Sequence, residues 1–152
     1  MVDAITANLK VAFWKKLQLD LEKTPPDFKM VPDILRDLNM MLKSLVPFSK
    51  KSTEELDEKI DADFLKGQIE HQVFSFDQIY HLSIYIIDTL QKFGMPEDDE
   101  GVNNLRNWVI TTMQEATEFK ISAFLPTLFE EFMTRIEKIQ QRILVLSKAQ
   151  KQ

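Results

Sequence analysis

The chain lacks cysteine altogether and contains only three glycines among its 152 residues. The absence of cysteine excludes disulfides, thiolate zinc sites, iron–sulfur clusters and a cysteine nucleophile. Glycine is also far below its average usage of about 7%. Because hairpin turns, β-bulges and phosphate-binding loops depend on glycine, its scarcity argues against a β-rich fold and against nucleotide-binding loops.

Long apolar runs and concentrated positive charge are missing as well. The longest strongly apolar stretch, LSIYIIDTL, is far shorter than the roughly 20 residues that span a bilayer. The N-terminal sequence MVDAITANLK lacks the basic region of a secretory signal. The net charge is −5 and the basic residues are scattered, whereas nucleic-acid binders concentrate them on one face. We therefore expect an intracellular, cytoplasmic protein with no membrane span and no nucleic-acid partner.

Helical periodicity is present along the whole chain. Its length suits one domain, which we assign to residues 1–152. The first segment carries an apolar residue at every fourth position, and this stripe is expected to face the core. The stripe consists of Ile5, Leu9, Phe13, Leu17 and Leu21. Prolines and charged connectors separate further segments of this kind, so the sequence predicts an all-α domain of roughly five to seven helices.

The most apolar segment predicts a central helix over about 76–93. Ser75 and Gln78 have capping-box spacing at its start, and Gly94 with Pro96 marks its end. Apolar residues occupy nearly every side of the segment. Such a pattern is typical of a helix that packs on several faces.

Two short helices are predicted before the central one. Ser52 and Glu55 have capping-box spacing for the first. The second covers about 63–72, with Phe64 and Val73 among the residues expected to face inward.

The last two segments are predicted to meet at a proline. One runs over about 102–124, with Ala116 and Phe119 among its inward residues, and Pro126 is expected to kink or break the chain after it. A long C-terminal helix then covers about 127–148. Its apolar residues form a heptad seam with spacings of three and four, which either packs in the domain core or pairs with another copy. The seam consists of Phe129, Phe132, Ile136, Ile139, Ile143 and Leu146.

The order of several sequence phrases resembles the N-terminal half of the T-complex protein 11 family. These phrases are AFWKKLQLDL, TPPDF, LRDLNMMLKSLVP, IDADFLKGQIEH and LQKFGMPEDDEGVNNL. The resemblance covers roughly residues 10–105, and FKISAFLPTLFEEF continues it more weakly. It implies an all-α intracellular protein associated with signalling, including the cyclic-AMP-dependent kinase pathway, and with sperm function in animal members. It supplies no catalytic residues, and it implies relatives much longer than this chain.

The two histidines do not form a recognisable catalytic or metal motif. Neither has a glutamate three positions earlier, and no His-Glu-x-x-His is present. His81 has Asp77 one turn before it and Tyr85 one turn after it. This spacing could orient the imidazole as a general base or in a ligand site, but it more often belongs to a half-buried structural histidine. We predict no catalytic residues, no metal ligands and no cofactor.

The leading functional hypothesis is a non-catalytic protein-interaction module in intracellular signalling. The polar residues of the second short helix and the acidic turn at 97–100 are the predicted contact residues for a protein partner of unknown identity. They are Lys66, Gln68, Glu70, His71, Glu97, Asp98, Asp99 and Glu100. Two alternatives stay open, namely an oligomerising structural protein that uses the 129–146 seam, and a small-ligand binder or enzyme around His81.

Overall fold

The computed structural model describes residues 2–114 and 120–150, and within them the side chains of 9–114 and 120–149. This part of the chain forms α-helices joined by short connections, with one 3₁₀ turn and no strand. The helices are α1 (Val2–Leu21), α2 (Val31–Lys43), α3 (Lys50–Lys59), α4 (Ala62–Glu70), α5 (Phe76–Phe93), α6 (Asp99–Gln114) and α7 (Ile121–Gln150). The predicted all-α class and helix number are thus confirmed.

The core surrounds α7, which contacts α1, α2, α5 and α6. Leu17 and Leu21 of α1 are almost completely buried, and so are Phe132, Ile136 and Ile139 in the middle of α7. The short helices α3 and α4 pack on α2, at the edge of this core.

The predicted bounds of the central helix agree with those of α5. The side-chain Oε1 of Gln78 accepts a hydrogen bond from the backbone N–H of Ser75 at 2.9 Å, as a capping box requires. The N–H of Gly94 donates to the carbonyl of Leu90 at 2.8 Å, and the helix ends there.

The region around Pro126 was predicted wrongly. The last helix begins at Ile121, six residues earlier than expected, and Pro126 lies buried inside it. Phe124 accordingly belongs to α7 and not to the preceding segment. Residues 115–119, which include the predicted inward positions Ala116 and Phe119, lie outside the described residues.

Several predicted inward residues are exposed. Leu9, Phe13, Phe64 and Val73 all present large apolar surfaces to solvent. The N-cap of α3 is Ser49, whose hydroxyl accepts from the N–H of Ser52 at 3.2 Å, so α3 begins before the predicted box. Leu9 and Phe13 line a groove between α1 and α7, and Phe64 lines a groove between α4 and α5; both grooves are described below.

Candidate functional site

The α4 helix forms a ridge at the edge of the domain. It begins at Asp61, whose side chain accepts from the N–H of Phe64 at 3.0 Å. It ends in a Schellman motif, because the Val73 N–H donates to the Gln68 carbonyl and the Gln72 N–H to the Ile69 carbonyl. We call this ridge, with the grooves on its two sides, the α4 surface.

The first groove lies between α4 and α5 and has a volume of about 490 Å³. Phe64, which is 63% exposed, forms part of its α4 wall. The side chains of Gln78 and Gln68 join the two walls through a 2.6 Å hydrogen bond. His81 and Tyr85 line the α5 side. This groove therefore combines an accessible aromatic side chain with polar groups.

The charge around this groove is mainly negative. Glu58 and Asp61 line it together with one lysine, Lys59. Burial raises the pKa of Tyr85 above its ordinary value, and the nearby carboxylates of Glu55 and Glu58 raise it further. An apolar ligand that carries positive charge fits this combination best.

The arrangement around His81 does not form a catalytic constellation. His81 is exposed, and its ring packs against Tyr80 with a centroid separation of 5.7 Å. Within the described side chains, no hydrogen bond joins His81 to Asp77 or Tyr85. Asp77 is exposed and does not line the groove. The geometry thus gives the small-ligand alternative a concave surface but no oriented base.

The second groove lies on the other side of α4, against α2, with a volume of about 270 Å³. Lys66 and Glu70 line it together with Arg36. The Arg36 guanidinium donates to Asp33 at 2.6 Å and to Asp63 at 2.7 Å, which ties α4 to α2. Of the predicted α4 contact residues, Lys66 and Glu70 thus line this second groove and Gln68 lines the first, whereas His71 lines neither.

His71 caps the end of the ridge. Its Nδ1 lies 2.9 Å from the carbonyl oxygen of Gly67, so the ring donates to that carbonyl when Nδ1 carries the proton. Gln72, the next residue, has φ 60°, a left-handed conformation that glycine adopts more readily. The exposed end of α4 is therefore held in one specific shape.

The acidic turn lies at the opposite end of α5 and is not uniformly exposed. Asp98 is only 8% exposed. It accepts from the Arg142 Nε at 2.8 Å and from the Met95 N–H at 3.1 Å. Glu97 and Glu100 are exposed, and Asp99 is half-buried. One of the four predicted contact residues here, Asp98, is thus held inside the fold by an ion pair with Arg142.

The part of the chain that the structure describes carries neither a metal-binding cluster nor a membrane-spanning helix. It contains no group of three or more histidine, aspartate or glutamate side chains arranged to hold a metal ion. No helix in the same residues has the length and apolar character needed to cross a membrane.

The fold and this surface define an all-α domain with exposed grooves on one edge. A family model described as T-complex protein 11 matches residues 3–145. The chain therefore belongs to the T-complex protein 11 family, which confirms the resemblance seen in the sequence.

Individual relatives are similar over about three fifths of the chain. The human T-complex protein 11-like X-linked protein 1 is 35% identical over 95 residues, or 62% of this chain and 18% of that protein. The human T-complex protein 11 homolog is 33% identical over 97 residues, covering 63% and 19%. Mouse T-complex protein 11 is 30% identical over 96 residues, covering 62% and 16%. The match thus spans less than a fifth of each relative, and no solved structure gives a significant match.

Proposed function

We propose that this domain is a non-catalytic protein-interaction module of the cytoplasm that acts in signalling. Family membership supports the general class, and the link to the cyclic-AMP-dependent kinase pathway comes from the family resemblance. The observation that carries the proposal is Phe64, a large aromatic side chain left exposed at the wall of a groove. Aromatic anchors beside a concave, charged surface are typical of protein interfaces.

The α4 surface suits a peptide segment with one bulky apolar side chain and flanking basic residues. The apolar side chain would pack between Phe64 and Leu82, which line the same groove. Glu58 and Asp61 would attract the basic residues, and Gln68 offers hydrogen bonds at the α4 wall. Lys66, Glu70 and His71 would contribute polar contacts at the rim.

The acidic turn is a separate candidate contact. About 16 residues of α5 lie between Gln78 and Gly94, so the turn is roughly 24 Å from the α4–α5 groove along the helix axis. Glu97, Asp99 and Glu100 would meet basic groups of a partner that extends this far.

The test is an affinity pull-down with quantitative mass spectrometry. The bait is the whole domain, compared with Phe64→Ser and with Phe48→Ser as the matched control. Phe48 is also an exposed phenylalanine, but it lies in the connection between α2 and α3. We expect specific partners to be lost with Phe64→Ser and retained with Phe48→Ser, because only the first variant changes the groove.

Identical partner sets for the two phenylalanine variants would contradict a role for the α4–α5 groove. An Asp99→Ala, Glu100→Ala bait tests the acidic turn in the same experiment, and an unchanged partner set would eliminate it. Kinase-pathway proteins among the Phe64-dependent partners would support the signalling assignment. Their absence would contradict the assignment to this pathway but not the role of the groove in protein binding.

A further inference from the structure

A third groove, of about 510 Å³, lies between α1 and α7. Its apolar lining comes from Leu9, Phe13, Trp14 and Met133. Leu9 and Phe13 belong to the stripe that the sequence directs inward, yet both are exposed. This groove is therefore an apolar surface that the domain core leaves uncovered.

The rim of the α1–α7 groove is acidic. Asp37, Glu130 and Glu137 line it against a single lysine, Lys10, whose Nζ lies 3.9 Å from Glu137. Among the described side chains, Asp37 and Glu130 have no ion-pair partner. The groove thus fits an apolar segment that carries basic residues.

The C-terminal end of α7 has that chemistry. Its charged residues after Glu137 are all basic, namely Lys138, Arg142 and Lys148. Arg142 is already paired with Asp98 in the same fold, whereas Lys138 and Lys148 are exposed and have no ion-pair partner among the described side chains. Leu144 is 54% exposed in the same stretch. The chain thus presents both an acidic apolar groove and a basic apolar helix end.

These two parts of α7 cannot meet within one molecule. Glu130 and Lys148 are separated by 18 residues of one helix, or about 27 Å. They lie on one face, however, because a single stripe of α7 joins them with spacings of four and three. The stripe consists of Glu130, Thr134, Glu137, Gln141, Leu144 and Lys148.

We propose that two copies of this chain associate by placing the basic end of each α7 in the α1–α7 groove of the other. An antiparallel arrangement about a two-fold axis near residue 139 makes both contacts at once. It sets Glu130 opposite the second copy's Lys148, and Thr134 opposite its Leu144. The apolar Leu144 then falls beside Phe13 and Met133, and opposite charges meet at the rim.

The interface differs from the heptad seam predicted in the sequence. The first four seam residues, from Phe129 to Ile139, are buried in the domain's own core. The pairing stripe lies on a neighbouring face of α7, so association leaves the core intact.

The experiment is sedimentation velocity on the whole chain over a wide range of concentrations. Wild type is expected to form a dimer as concentration rises. Glu130→Lys or Lys148→Glu should each weaken self-association by about tenfold or more, since every substitution occurs twice in a symmetric dimer. The control is Glu54→Lys, which changes an exposed glutamate of α3 that does not line the α1–α7 groove and should leave association unchanged.

Mixing the Glu130→Lys and Lys148→Glu variants is the decisive step. In a dimer with one copy of each, the two substituted side chains face one another, so their ion pair is restored with the signs exchanged. The unsubstituted Glu130 and Lys148 face one another at the other end of the interface. We expect the mixture to associate about as tightly as wild type.

Three results would overturn the proposal. They are a wild-type chain that stays monomeric at every concentration, a dimer that neither reversal weakens, and a mixture that fails to recover. Since a basic apolar helix also binds anionic membranes, the chain is also sedimented with phosphatidylserine-containing vesicles. Vesicle binding that Lys148→Glu abolishes in a chain that does not dimerise would assign the helix end to a lipid surface.

Discussion

Two isoleucines of α7 test where its apolar seam leaves the core. Ile139 and Ile143 are one turn apart on the same seam and have the same side chain. Ile139 is 1% exposed. Its Cδ1 lies so close to Gly94 that a Cβ added to this glycine would be 3.3 Å away, so Ile139 packs against the end of α5. Ile143 is 38% exposed. Replacing each by alanine should therefore lower the free energy of unfolding by different amounts.

The expected difference follows from the groups removed. Isoleucine to alanine deletes three carbons, worth about 2.4 kcal/mol of transfer free energy at about 0.8 kcal/mol each. At Ile139 a cavity adds to this loss, so we expect about 3–4 kcal/mol in total. At Ile143 water already reaches the side chain and fills the space, so about 1 kcal/mol is expected. For a chain of this size these losses correspond to roughly 10 °C and 3 °C in Tm.

The assay is urea unfolding followed by circular dichroism, repeated at several protein concentrations. Phe48→Ala serves as a control that should change stability by less than about 0.5 kcal/mol, because the side chain is fully exposed. Equal losses at Ile139 and Ile143 would refute the conclusion that the seam leaves the core between them. A loss at Ile143 that grows with protein concentration would show that a second copy covers it.

Four further measurements test individual features of the structure. Gln72→Gly should stabilise the domain by about 0.5–1 kcal/mol in urea unfolding, because glycine relieves the left-handed conformation at the end of α4; destabilisation would refute that backbone geometry. Asp98→Ala should cost about 2 kcal/mol by removing the acceptor for Arg142 and for the Met95 N–H, whereas a stability loss below about 0.5 kcal/mol would contradict this pairing. Because the pKa of Tyr85 is raised, the phenolate absorbance difference between wild type and Tyr85→Phe should have its midpoint above pH 10.0. The contribution of Tyr85 to the free energy of unfolding should be fully present below pH 10 and lost as pH rises through the folded-state pKa. The Lys43 ammonium and then the Asn39 amide lower the pKa of Asp57, so stability should fall as pH drops below about 4, and less so in Asp57→Asn.

The sequence predicts α5 well because its boundaries depend on nearby residues. Ser75, Gln78 and Gly94 lie within one turn of the helix ends that they define, so capping rules alone place both ends. The apolar face of α2 is equally local, because Ile34, Leu38 and Leu42 recur at helical spacing and all three are buried. Short-range patterns of this kind need no knowledge of the tertiary fold.

The start of α7 shows where local rules fail. Proline inside a helix costs about 3 kcal/mol, which is why the sequence predicts a break at Pro126. In the structure this penalty competes with the burial of Ile121, Phe124 and Leu125, which all precede Pro126 in α7. Burying apolar side chains of this size is worth about 1.5–3 kcal/mol each, so tertiary packing outweighs the local preference.

The α4 surface was predicted in part. Lys66, Gln68 and Glu70 are predicted as contact residues because they are polar residues on a short helix, and their role stays a prediction. Phe64, which lines the adjacent groove, was assigned to the core because it is apolar. Its neighbour Leu65 is buried and Phe64 is not. Helical spacing supplies a partial signal here, since consecutive residues point about 100° apart and a short helix at the edge of a core buries only one narrow face.

The acidic turn shows why sequence alone cannot separate a binding residue from a structural one. Glu97, Asp98, Asp99 and Glu100 look equivalent in the sequence, yet only Asp98 reaches Arg142, which lies 44 positions further along the chain. An ion pair over that separation depends on how α6 and α7 pack, and no local pattern encodes it. A substitution at Asp98 would therefore change stability and binding together. For this reason the contact hypothesis is best tested at Asp99 and Glu100, with stability measured beside it.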